Sequence, residues 1–313
     1  MNQIMFYFLG LIASLFLVIK SADYAILYST KISTDLKIPR YIIGFLLIAV
    51  ISALPETFIS INSAFQNNSV FGLGILLGAN VADLTLIFAI VTFLSSHSIK
   101  VKSKIIKNEF LYIFMIGLPV VLGLNGQFSR FEGAVLVLAG FYFFWILLLD
   151  KQRTDYESGG FFSWKYFSLL LVSMAALLFT ANLTAKFGVS FAQSVHIHPV
   201  LIGMFFVGLG TTLPELFFSI KAVWKKQDEL AIGDILGMVI TDSTIVVGIV
   251  ALIRPFSFNK EIIYITGGFM VAASIILLYL LRTGKILTKK EALFLIFFYL
   301  LFVFAEFSAN NYF

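Results

Sequence analysis

The feature that most constrains this chain is a short stretch written twice, Ser52-Ala53-Leu54-Pro55-Glu56 and Thr211-Thr212-Leu213-Pro214-Glu215. Each sets a glutamate directly after a proline, inside an apolar run of the roughly 20 residues that a bilayer-crossing helix needs. An ionised carboxylate at that depth is costly without a partner, so it marks a functional site by default. A second acid follows each glutamate after 27 residues, Asp83 after Glu56 and Asp242 after Glu215. One offset, 159 residues, aligns both motifs and also pairs Ala22 with Ala181, Ile43-Gly44 with Ile202-Gly203, Phe58 with Phe217, Ser60 with Ser219, Gly74 with Gly233 and Gly78 with Gly237.

The apolar runs recur along the whole chain, which is 60% hydrophobic and 12% charged. They predict an all-α membrane protein with ten transmembrane helices, at about 4–20, 40–65, 70–95, 109–125, 131–149, 165–185, 199–221, 230–253, 261–281 and 290–307. The connections after spans 1, 3, 5, 7 and 9 carry 18 of the 22 Lys and Arg residues. By the positive-inside rule those loops are cytoplasmic and both termini face the extracytoplasmic side. Five spans per half is an odd number, so the second half enters the membrane from the opposite side. The expected architecture is therefore two inverted repeats of five helices, 1–150 and 151–313, a recurring plan of secondary transporters with the site near the midplane. The first apolar run lacks a basic start and a small-residue cleavage site, so it reads as a helix that stays. The net charge of +5 sits in short loops and sets orientation, so the expected partner is the lipid bilayer and not nucleic acid.

Proline has no N–H to donate, so Pro55 frees the carbonyl of Ile51 and Pro214 that of Gly210. Freed carbonyls at membrane depth are tolerated where they line a cavity and can ligate cations. Ser52, Glu56 and Ser60 are spaced by four and share a helical face, as do Thr211, Glu215 and Ser219. The glycines Gly72, Gly74 and Gly78, and Gly233 and Gly237, would let helices approach closely and bring Asp83 and Asp242 to the glutamates. Every donor in this set is oxygen, which suits a hard cation. Calcium takes about 6 to 8 such ligands. A soft metal is disfavoured because cysteine is absent and the three histidines, His97, His196 and His198, fall near span ends as interfacial residues. Asp234, whose counterpart is Ile75, reads as a solvated helix start with a mild Asn phenotype, and Asp23, opposite Asn182, as marginal. No enzyme chemistry and no cofactor is needed. An intramembrane aspartyl protease also needs buried acids, but the chain has Gly233-Asp234 without the Gly-x-Gly-Asp arrangement. A potassium-type channel would need a repeated carbonyl filter, which is missing.

These motifs resemble the calcium/cation antiporter superfamily, in particular its sodium/calcium exchanger branch. The resemblance rests on Ser52-Ala53-Leu54-Pro55-Glu56 with Gly78-Ala79-Asn80-Val81-Ala82-Asp83, and on Gly210-Thr211-Thr212-Leu213-Pro214-Glu215 with Gly237-Met238-Val239-Ile240-Thr241-Asp242. It implies ten spans in two inverted halves and a calcium centre of Glu56 and Glu215 with Ser52 and Thr211, completed by Asp83 and Asp242. Flanking sodium sites use further hydroxyls, of which Thr212 is one. Where that family usually has serine, this chain has Ala53, Ala79 and Met238, and where its first half often has Asn, this chain has Asp83. The implied activity is antiport of Ca2+ against Na+ or H+ by alternating access, with Mn2+ or Mg2+ as alternative divalent substrates.

Overall fold

The computed structural model describes residues 2–36, 39–95, 97, 99–100, 109–149, 163–194, 212–284 and 286–309. It is a helical membrane protein. Among the described residues seven helices are long and apolar enough to cross a membrane, or eight when the bent pair Arg40–Ser52 and Leu54–Phe65 counts as one span. In chain order the helices are α1 (Asn2–Leu36), α2 (Arg40–Ser52), α3 (Leu54–Phe65), α4 (Ser69–Leu94), α5 (Glu109–Asn125), α6 (Arg130–Leu149) and α7 (Trp164–Ser194). They continue as α8 (Leu213–Trp224), α9 (Asp228–Ile253), α10 (Lys260–Arg282) and α11 (Lys289–Ala309). Of the expected seventh span, 199–221, residues 199–211 lie outside the described residues.

Two helices depart from their expected lengths. The runs 4–20 and 165–185 grow to the 35 residues of α1 and the 31 of α7. Helix continues through the polar stretches beyond each apolar run, because α1 and α7 pack along one another and on α8. Tertiary packing of a neighbouring face supports helix where hydropathy alone would end it.

The 159-residue offset holds for structure as well as for sequence. It carries Leu54–Phe65 onto Leu213–Trp224, and Ser69–Leu94 onto Asp228–Ile253. The turns that end α3 and α8 also match. Asn67 and Lys226 both adopt the left-handed conformation, at φ 64° and 57°. The N–H of Asn68 reaches the carbonyl of Ser63 at 2.7 Å, and that of Gln227 reaches Ala222 at 2.8 Å.

Four two-residue strands tie the loops. β1 (Ile99–Lys100) pairs antiparallel with β4 (Ile286–Leu287), and β2 (Gln127–Phe128) with β3 (Phe256–Ser257). The offset maps β2 directly onto β4. Each ribbon joins one loop from each half, and loops of like parity always meet: those after spans 3 and 9 in one ribbon, those after spans 4 and 8 in the other.

The centre is packed tightly where α2 crosses α9. A Cβ on Gly233 would stand 2.5 Å from the carbonyl oxygen of Tyr41, and one on Gly44 would stand 2.8 Å from that of Leu230. Only glycine permits so close a backbone approach. Gly72 lies similarly close to Ser60, whereas Cβ atoms on Gly74 and Gly78 would meet nothing within 4 Å among the described residues, so the expected close approach is seen at Gly72, Gly233 and Gly237 but not there.

Candidate functional site

Proline is tolerated in the first turn of a helix, where its missing N–H has no helical partner to lose. The structure uses it that way twice. α2 ends at Ser52, the chain turns at Ala53, and α3 restarts at Leu54 with Pro55 and Glu56 in its first turn and a 44° bend. In the second half Thr212 precedes α8, with Pro214 and Glu215 in its first turn. Both glutamates thus sit at the positive end of a helix dipole. That interaction is worth up to about 2 kcal/mol when partly buried. Burying one charge costs several kcal/mol. The dipole alone does not offset burial, and the site calls for a cation.

Asp83 and Asp242 enter on α4 and α9, where each helix loosens into a π turn, Asp83–Ile87 and Thr241–Val246. Such turns break the regular i to i+4 ladder and recur at functional sites. Glu56, Asp83, Glu215 and Asp242 all have no solvent exposure. They lie within Coulombic range of one another: Asp83 and Glu215 both feel Glu56, and Asp242 feels Glu56 and Asp83. Both carboxylate oxygens of Asp83 and Asp242 lack a hydrogen-bond partner among the described residues. Buried polar atoms are almost always paired, so two unpartnered buried carboxylates near two buried glutamates point to a ligand. Among the described residues no three acidic or histidine side chains stand in a ready-made metal cage. The acids are gathered but not closed around a point.

Of the hydroxyls, Ser52 and Thr212 are buried beside the glutamates, and Thr211 lies outside the described residues. Ser52 makes a contact that the sequence reading missed: its Oγ donates to Asp234 Oδ1 at 3.0 Å. Asp234 is not a solvated helix start. It is completely buried, because Gly44 and Gly233 let α2 lie directly over this part of α9 and shut out solvent. Its second oxygen has no partner among the described residues, and it lies within Coulombic range of Asp83 and Glu215. The site therefore holds five buried acids. An aspartate beside a glycine in an otherwise apolar run was the only signal for the fifth.

Asn80 links the halves, its Nδ2 donating to Ser243 Oγ at 3.2 Å and approaching Met270 Sδ at 3.6 Å. Two of the three serine-to-apolar departures are packed away, since Ala53 and Met238 form a small buried cluster with Ala49, while Ala79 is half-buried. Ser60 donates to the carbonyl of Gly72 at 3.4 Å, while Ser219 is buried with its hydroxyl unpartnered among the described residues. His97 contacts Asp228 at 3.0 Å, joining the end of α4 to the start of α9. His196 and His198 lie outside the described residues. Asp23, on α1, pairs with Lys225 at 2.9 Å and Lys221 at 3.7 Å at the end of α8.

Comparison with known proteins agrees with this architecture. The family model described as "Sodium/calcium exchanger protein" matches residues 6–149 and 165–307. CaxA of Alkalimonas amylolytica, which bears the name of an antiporter, is 30% identical over 289 residues, covering 88% of this chain and 90% of its own. The sodium/calcium exchanger MaX1 of Methanosarcina acetivorans is 25% identical over 342 residues, covering 95% and 97%. A solved structure of the sodium-calcium exchanger NCX_Mj, soaked with Na+ and Sr2+, superposes with a TM-score of 0.81 at 20% identity over 96% of this chain and 98% of that one. At that identity the likeness is one of fold.

Proposed function

This chain belongs to the sodium/calcium exchanger protein family, and we propose that it is an antiporter that exchanges Ca2+ for a monovalent cation by alternating access. The observation that carries this reading is the symmetric set of buried acids, with the carboxylate oxygens of Asp83 and Asp242 left without a hydrogen-bond partner among the described residues. Glu56 and Glu215 are the central calcium ligands, with Asp83 and Asp242 beside them and Ser52, Thr211 and Thr212 supplying neutral oxygens. The organisation is ten spans in two inverted repeats, 1–150 and 151–313, with both termini extracytoplasmic. The element-by-element match at one offset and the parity of the ribbon-paired loops support it. Because the acids are gathered without forming a closed cage, binding draws them inward, and α1 and α7 move as a pair against the remaining helices to change the side of access.

The counter-ion is at least partly the proton. Four carboxylates around one calcium keep an excess charge of about two, and like charges facing one another in a low dielectric need neutralising once calcium leaves. Sodium would want the hydroxyls that Ala53, Ala79 and Met238 remove, and Ala53 and Met238 instead pack in an apolar cluster. Protons need none of those oxygens. Purified protein in sealed vesicles is expected to take up calcium when driven by a pH gradient in sodium-free buffer. The triple variant Ala53→Ser, Ala79→Ser, Met238→Ser is expected to gain partial sodium dependence. Uptake that requires a sodium gradient and ignores pH refutes proton coupling, and uptake of Mn2+ or Mg2+ in preference to Ca2+ reassigns the substrate.

A further inference from the structure

The two aspartates of the site sit on helices that a single polar tie joins. We propose that Asn80, Ser243 and Met270 are positioning residues that limit how far Asp83 and Asp242 can stand apart, and so set the size of divalent cation that the centre accepts. The proposal deepens the transporter reading above and rests on it. Asn80 lies three residues before Asp83, on the last regular turn of α4, and Ser243 follows Asp242 directly. Both aspartates lie in π turns, where the regular backbone ladder is broken. A side-chain tie across the two helices is therefore what holds their spacing.

The tie has a fixed direction. Asn80 Nδ2 donates to Ser243 Oγ at 3.2 Å, and Ser243 Oγ donates to the carbonyl of Val239 at 2.5 Å. A carbonyl only accepts, so the serine hydrogen is committed and the serine lone pair faces Asn80. The sulfur of Met270, on α10, is a second acceptor at 3.6 Å from the same nitrogen. The amide cannot turn over without setting its oxygen against two acceptors. All three side chains are fully buried, so the bond does not compete with solvent. The amide oxygen has no partner among the described residues, which leaves the nitrogen to make the link. The pseudo-symmetry does not repeat it: the 159-residue offset carries Asn80 onto Val239 and Ser243 back onto Leu84, both apolar and buried. Selectivity among hard divalent cations follows cavity size and the flexibility of the ligands. Cutting the tie lets the aspartates part and relaxes the preference for Ca2+ over the larger Ba2+.

The test follows thermal unfolding of the full-length protein in nanodiscs against CaCl2, SrCl2 and BaCl2, and reads the half-saturating concentration of each. The wild type is expected to prefer Ca2+ to Ba2+. In Ser243→Ala and Asn80→Leu the ratio of the barium to the calcium concentration is expected to fall by about three- to tenfold, the equivalent of one net hydrogen bond, with strontium in between. Met270→Leu conserves volume and removes only the sulfur, and it shifts the ratio the same way by less. The double variant Asn80→Leu, Ser243→Ala removes both partners at once, so its unfolding midpoint without ions recovers relative to the single variants. Its ratio stays as low as theirs, whereas a merely structural role would return the ratio with the midpoint. The proposal is overturned by calcium and barium affinities that fall by the same factor in Ser243→Ala, by effects of the two substitutions that multiply in the double variant, or by a wild type that binds the two ions equally. A wild type that responds to no divalent cation overturns the transporter reading, and this assignment with it.

Discussion

At the scale of single residues, the proposed site turns on two positions. Glu56 and Glu215 each open a helix at the centre of the protein, so neither can be replaced by a neighbour moving into its place. Glu56→Gln and Glu215→Gln are each expected to abolish calcium flux in vesicles while the protein still inserts and elutes as a single species. Asp83→Asn and Asp242→Asn are expected to give intermediate or complete loss. Near-normal flux in either glutamine variant removes the site assignment. These four acids were legible in the sequence because the duplication put them in register and apolar surroundings made them conspicuous. Asp234 was not, since its counterpart is isoleucine and it lies near the end of its run. Its burial comes from α2 crossing over it, and lateral packing leaves no mark in linear order.

At the scale of elements, the duplicated turns offer an internally controlled measurement. Lys226 and Asn67 occupy the same left-handed position at the ends of α8 and α3. A side chain with a Cβ pays about 1–2 kcal/mol there, and asparagine tolerates the conformation better than lysine. Lys226→Gly is therefore expected to stabilise the protein by a net of about 0.5–1 kcal/mol after glycine's larger entropy loss, and Asn67→Gly by less. Thermal unfolding of the two variants side by side checks the order, and an equal or larger gain at Asn67 contradicts it. The seven or eight spans found among the described residues were readable because hydropathy reports a helix of bilayer length, and the break at Pro55 followed from proline's missing donor. The lengths of α1 and α7 were not, because packing against each other extends them past their apolar windows. The π turns at Asp83 and Asp242 have no residue pattern of their own, and strands two residues long are too short to show alternation.

At the scale of the whole molecule, α1 and α7 form a unit set against the other helices, held to α8 by the Asp23 pairs with Lys221 and Lys225. Partly exposed ion pairs of this kind are worth about 0–1 kcal/mol. Contacts that weak can break and reform in every cycle, whereas the glycine-mediated packing of α2 on α9 cannot. Because the chain has no cysteine, Asp23→Cys with Lys225→Cys introduces the only thiols. Joining them with a bifunctional thiol reagent is expected to stop calcium flux, which the same double variant retains without the reagent. Unimpaired flux after complete cross-linking shows that α1 does not move against α8.

The two small ribbons bear on how the molecule is made as well as how it works. Lys100 pairs with Ile286, 186 positions later in the chain, and Gln127 pairs with Ser257, 130 positions later. During synthesis the loop bearing Ile99 and Lys100 emerges long before its partner exists, and its strand edge stays open while the 186 positions up to Ile286 are still to be made. The strand at Gln127 waits less long but under the same condition. The first half thus cannot be a finished object when it leaves the translocation machinery. Only when β4 comes off the ribosome does the second of the two ribbons close, so the halves are clasped together late in synthesis and not as each is made.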